Sequence, residues 1–238
     1  MDCTRRQMLA GGLAAVGCGL AARGGTVKSN IGARSIMATE DHNKYPLPDG
    51  LVAVEYLEST GTQYIDLMLN SSADNFCDFE ICYQNTTDDC YPPFGYQYGA
   101  SARYGMWRPT GGGATLLYVG INSANYVSFN DDLNWHTIIV KNGDSITVDG
   151  ISTPIGTGTV RGNIGVLAFA MVTSAREATS FRIVAARISM LKIYDTDNNL
   201  LRDLVPCRRD RTGYMYDLVS GELFGNSGIG EFLLGRDL

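Results

Sequence analysis

The chain has 238 residues, enough for one β domain of ordinary size with an N-terminal extension. Apolar residues make up 45% and charged ones 18%, alongside 28 glycines and 13 tyrosines, which argues against a disordered polymer and for many short strands joined by turns. A formal net charge of -6, with the only dense basic run at Cys207 to Arg211, argues against a nucleic-acid partner, because phosphate binding needs a concentrated positive face.

Residues 1–22 read as an address. Arg5 and Arg6 precede an uncharged run from Met8 to Ala22 that falls short of the roughly 20 residues a spanning helix needs, so an export signal fits better than a membrane anchor. The pattern is that of a twin-arginine signal, with Met8 and Leu9 at the hydrophobic pair; an ordinary secretory signal with a positive n-region is the alternative. Cleavage after Ala22 leaves a mature chain without a transmembrane span. Cys18, after Ala-Val-Gly, forms a partial lipoprotein box and offers a second route to the surface. The expected location is therefore periplasmic, extracellular or cell-surface attached. Residues 23–49 carry no periodicity and end among Pro46 and Pro48, which predicts a flexible tether, with His42 solvated between Asp41 and Asn43.

From Gly50 to Leu238 strand signals recur and no long segment has helical spacing. Strands are predicted near residues 52–57, 63–69, 115–119, 124–129, 135–141, 144–149, 163–170, 182–195 and 200–206. In the stretch beginning at Phe76, the residues Cys77, Phe79, Ile81 and Tyr83 share one face while Asp78 and Glu80 take the other, as a half-buried strand requires. Ile164 to Met171 is nearly continuous in apolar residues, which predicts one strand buried on both faces. Together these elements predict an all-β, two-sheet antiparallel sandwich preceded by the signal and tether.

His136 tests whether the chain does chemistry. Asn142-Gly143 is a strong hairpin signal. A two-residue turn there would set Ile139 opposite Ile146, Thr137 opposite Val148 and His136 opposite Asp149, with Trp135, Ile139, Ile146 and Val148 towards the core and the His136–Asp149 pair away from it. No nucleophile and no further metal ligands surround His136 locally, so the expectation is a structural strand residue.

Several stretches carry a resemblance: Tyr56 to Asp66, Phe94 to Trp107, Asn134 to Gly150, Ile188 to Asp195 and Leu200 to Phe232. In order along the chain they resemble bacterial surface proteins with a concanavalin A-like, laminin G-like jelly roll. The resemblance implies two antiparallel sheets, one concave, with ligand at that face or at the rim loops. The same superfamily includes endoglucanases whose signature is E-x-D-x-x-E on one strand. Asp78 and Glu80 are the nearest match here, but Tyr83 stands where the third acid belongs, so glycosidase activity is disfavoured.

Six of the 13 tyrosines lie from Tyr91 to Tyr126, with Trp107, Arg103 and Arg108 among them. Flat rings beside polar donors suit sugars, whose C–H faces are apolar and whose rims carry hydroxyls. Tyr96, Tyr98, Arg103, Tyr104, Trp107 and Arg108 are therefore the expected glycan contacts, on a glycan or cell-surface polysaccharide; a protein partner, a structural role, and a hydrolase or lyase with an unrecognised acid pair are the alternatives. Asn130, Asp131 and Asp132 are candidate calcium ligands, because hard cations take clustered oxygens, although the same residues suit a turn. Asp195 to Asn199 reads as a hairpin turn. Cys77, Cys82, Cys90 and Cys207 leave the disulfide pairing open, except that Cys77 and Cys82 point to opposite faces of one strand.

Overall fold

A computed structural model describes residues 45–70, 76–84, 94–98, 102–107, 115–120, 126–129, 133–141, 143–156, 165–172, 181–195 and 197–238. In chain order the strands are β1 (Val52–Ala53), β2 (Leu57–Thr60), β3 (Ile65–Asn70), β4 (Phe76–Tyr83), β5 (Phe94–Tyr98), β6 (Ala102–Trp107), β7 (Thr115–Gly120), β8 (Tyr126–Phe129), β9 (Trp135–Lys141) and β10 (Ser145–Val148). They continue with β11 (Ile151–Pro154), β12 (Gly165–Ala168), β13 (Ala170–Val172), β14 (Phe181–Ile183), β15 (Ala185–Tyr194), β16 (Leu200–Arg209), β17 (Thr212–Asp217), β18 (Leu223–Phe224) and β19 (Leu233–Leu234). No helix occurs among the described residues.

The strands form two sheets. The larger runs β11-β10-β9-β4-β15-β16-β17-β18, with β2 on β15, β19 on β2 and β1 on β16; the smaller runs β14-β13-β5-β6-β7-β8, with β12 joining β5 to β3. Pairing among the described strands is antiparallel except where Val172 of β13 meets Tyr96 of β5. One apolar core draws on both sheets: Leu57, Phe79, Ile81, Ile138, Ile146, Leu191 and Leu204 from the larger, and Ile65, Leu67, Val166 and Ala168 from the smaller. This is the two-sheet all-β sandwich that the strand pattern implied. In β4 the alternation holds as read, with Cys77, Phe79, Ile81 and Tyr83 all buried.

The β9–β10 hairpin corrects the expected register. Lys141 pairs with Ser145, Val140 with Ile146 and Ile138 with Val148, so the closing pair is separated by three positions instead of two. Gly143 takes a left-handed φ of 76°, as three-residue loops with a bulge commonly need. A one-residue slip reverses every side chain of a strand. Accordingly His136, Ile138 and Val140 are buried, while Trp135 and Thr137 are exposed and Ile139 is half-buried. Ile146 and Val148 face the core as expected. The His136–Asp149 contact survives the slip because Asp149 lies past the end of β10 in a turn with φ 50°, where Oδ2 reaches His136 Nδ1 at 2.8 Å and Oδ1 accepts the Thr137 N–H at 2.9 Å.

Two predicted strands break in register with each other. The apolar run to Met171 divides at Phe169 (φ 63°), and the strand expected from residue 182 divides at Val184, whose N–H donates to the Phe169 carbonyl at 2.9 Å. Phe169 packs tilted against Phe232, ring centroids 4.9 Å apart, and residues 166–171 are buried throughout, as the continuous apolar run required. The strand expected at residues 52–57 is likewise two short pieces, β1 and the start of β2. Asp195 organises the turn expected after β15: its carboxylate accepts the N–H groups of Asp197 (2.9 Å) and Asn199 (2.8 Å). At the C-terminus Arg236 pairs with Glu55 and Arg208 with Asp237, each at 2.6 Å, which ties the last residues to the segment between β1 and β2 and to β16.

Candidate functional site

The face of the larger sheet turned away from the core is built by alternation from the residues the core rejects. Four successive pairings, Leu233 with Glu58, Glu58 with Arg187, Arg187 with Cys82 and Cys82 with Trp135, align one residue from each of β19, β2, β15, β4 and β9 in a single transverse row. Trp135 joins this row because of the register slip; in the two-residue hairpin it would have pointed inward. Trp135 at one end is 43% exposed and Leu233 at the other 52%, whereas Cys82 between them is buried.

The middle of the row is a fixed polar group against an aromatic ring. Arg187 Nε donates to Glu58 Oε2 at 2.6 Å, and that bond raises the guanidinium's pKa, so it stays cationic. Its Cζ lies 4.7 Å from the centroid of Tyr56, and Tyr56 in turn sits 5.8 Å from Trp135 at an interplanar angle of 51°. A stacked cation and a tilted ring pair each contribute on the order of 0.5–1 kcal/mol, enough to hold the rings in one arrangement. Beside the row, Ser189 Oγ donates to Glu80 Oε2 at 2.7 Å. Further along the same face Lys192 meets Asp203 at 3.2 Å, and burial raises the Asp78 carboxyl despite the attraction of Lys192. The result is an exposed indole and a half-buried phenol ring bordered by an ion pair and a hydroxyl–carboxylate pair, a set that can stack on an apolar ring face and hydrogen-bond its rim.

The residues expected from sequence lie elsewhere. Tyr96 pairs with Tyr104 and Tyr98 with Ala102, so positions 96, 98 and 104 share one face of the smaller sheet; Arg103 and Trp107 occupy the opposite face. The pairing Tyr104–Val119, with Leu117–Val127 two residues on, puts the tyrosine positions on the face of Val127, which packs against the core, while Trp107–Leu116 and Leu116–Ser128 put position 107 on the face of exposed Ser128. The backbone thus brings together Arg103 with Trp107, and Tyr96 and Tyr98 with Tyr104, and does not join the two groups. Arg108 and the candidate calcium ligands Asn130, Asp131 and Asp132 lie outside the described residues. Among the described residues no three His, Cys, Asp or Glu side chains gather to hold a metal ion. Cys77 and Cys82 are buried on opposite faces of β4, as read, and burial pushes the Cys207 thiol up to about 12; Cys90 lies outside the described residues.

No family model and no curated protein matches the chain. A solved structure does: a candidate carbohydrate-binding protein of Bacteroides ovatus ATCC 8483, with TM-score 0.50 and 8% sequence identity over 79% of this chain. That likeness shows the fold alone. This chain spans 62% of that protein's length. Among the described residues no helix is long and apolar enough to cross a membrane.

Proposed function

We propose that the chain is an exported, non-catalytic carbohydrate-binding module of the concanavalin A-like type, and that it takes glycan on the outer face of the larger sheet. The observation that carries this is the group Trp135, Tyr56, Arg187 and Glu58: an exposed indole held by a second ring, with a guanidinium and a carboxylate fixed alongside. Sugars suit such a surface because their C–H faces stack on aromatic rings while their hydroxyls both donate and accept. The shared fold with a candidate carbohydrate-binding protein supports the same reading. Arg5, Arg6 and the uncharged run from Met8 to Ala22 support export, and calcium at Asn130, Asp131 and Asp132 remains part of the proposal.

A second surface competes on one observation: positions 103 and 107 share the face of exposed Ser128 on the smaller sheet. A glycan array probed with the purified full chain, with calcium and again with chelator, tests the proposal. Reproducible glycan binding that is lost in Trp135→Ala at an unchanged melting temperature is the expected result. Binding lost in Trp107→Ala but kept in Trp135→Ala would move the site to the smaller sheet, and release of reducing ends from a bound glycan would make the protein an enzyme.

A further inference from the structure

We propose that the ligand of this face is an extended neutral oligosaccharide lying across the strands, and not a single terminal sugar or an acidic glycan; this rests on the reading of the face as a glycan site. The row Leu233, Glu58, Arg187, Cys82, Trp135 crosses five adjacent strands. With neighbouring strands about 4.8 Å apart, its four steps span roughly 19 Å. Its exposed apolar surface is concentrated at the two ends, Trp135 and Leu233, while Cys82 is buried and the Glu58 side chain is 14% exposed. A monosaccharide stacked on Trp135 cannot touch Leu233. A chain running along the row meets an apolar contact at each end and the Arg187–Glu58 pair between them.

Charge selects against acidic sugars. Arg187 is neutralised by Glu58 and Lys192 by Asp203, and Glu80 and Asp78 add carboxylates to the same face, against Lys141 at the far end of β9. The whole chain carries a formal charge of -6. Among the described residues a uronate would therefore meet no unneutralised cation near the indole, and it would approach against a negative field. A neutral chain uses the ion pair without disturbing it, since guanidinium N–H groups donate to hydroxyl oxygens and the carboxylate accepts from hydroxyls.

Titration calorimetry of the full chain tests this with neutral gluco-, manno- and xylo-oligosaccharides from monosaccharide to hexasaccharide, and with oligogalacturonates of matching length. For the neutral series that binds, affinity is expected to rise at least about tenfold from monosaccharide to tetrasaccharide and then level off. Trp135→Ala and Leu233→Ala should each flatten that rise, with thermal melts confirming that both exposed-site variants fold. Oligogalacturonates should bind at least about tenfold more weakly. Equal affinity for monosaccharide and tetrasaccharide, or equal or tighter binding of oligogalacturonates, overturns the proposal while leaving a glycan site in place. Silence of the folded wild-type chain towards every sugar of every length overturns the glycan reading itself.

Discussion

Asp78 stands on the outer face of β4 with Oδ1 buried and without a hydrogen-bond partner, and burial raises its pKa. The folded chain thus holds this proton more tightly than the unfolded one. The resulting stability is fully present below the unfolded value, about 3.9 for Asp, and is lost as pH rises through the higher folded value. Asp78→Asn removes the ionisation, so thermal melts should show a higher Tm than wild type at about pH 7 and no gain at about pH 3. A fall in Tm at neutral pH would mean instead that the attraction to Lys192 outweighs the burial of the charge. At this scale much was legible from residue order. Period-two alternation in β4 needs only neighbouring residues, so it placed Cys77, Phe79, Ile81 and Tyr83 inward and Asp78 and Glu80 outward. The contact between His136 and Asp149 was legible too, although it arises from a turn residue and not from the cross-strand pair expected.

Strands were easier to read than the joints between them. Asn142-Gly143 announced a hairpin, but whether two or three residues close the loop depends on how β9 and β10 each pack on the core. Burying Ile138 and Val140 opposite Val148 and Ile146 settles it in favour of three. The breaks at Phe169 and Val184 were hidden in the same way, since each is fixed by a distant chain segment. The C-terminal segment shows how tightly such segments are held. Thr62 Oγ1 donates to the Ile229 carbonyl at 3.0 Å and the Ile229 N–H donates to the Thr62 carbonyl at 2.9 Å, and a Cβ on Gly228 would collide with that same Thr62 carbonyl. Gly228→Ala should therefore lower stability by about 1–3 kcal/mol in denaturant unfolding, because backbone cannot swing aside. Gly213→Ala should cost less. Its added Cβ comes closest to the Leu234 and Leu57 methyl groups, at 2.7 and 2.8 Å, with Phe232 Cβ at 3.4 Å, and side chains can repack. Equal losses at the two positions would show that the contact at Thr62 is not rigid.

Across the whole molecule, the outer-face row was not legible from sequence. Its members stand at 58, 82, 135, 187 and 233, and only the combined registers of β19, β2, β15, β4 and β9 bring them into line. Local density of aromatics pointed instead to β5 and β6, where odd spacing between Tyr104 and Trp107 divides them between the two faces of one strand. The fold class, by contrast, follows from strand-by-strand alternation summed along the chain, and so could be read without knowing any register. The chain contains two tryptophans, Trp107 and Trp135, one on each contending surface. Tryptophan fluorescence in single-tryptophan variants therefore bears most directly on where glycan binds. Titrated with the neutral oligosaccharide that binds the full chain, Trp107→Phe should keep the wild-type saturable change in emission and Trp135→Phe should lose it. A response that persists in Trp135→Phe and vanishes in Trp107→Phe would contradict the outer face of the larger sheet as the binding site.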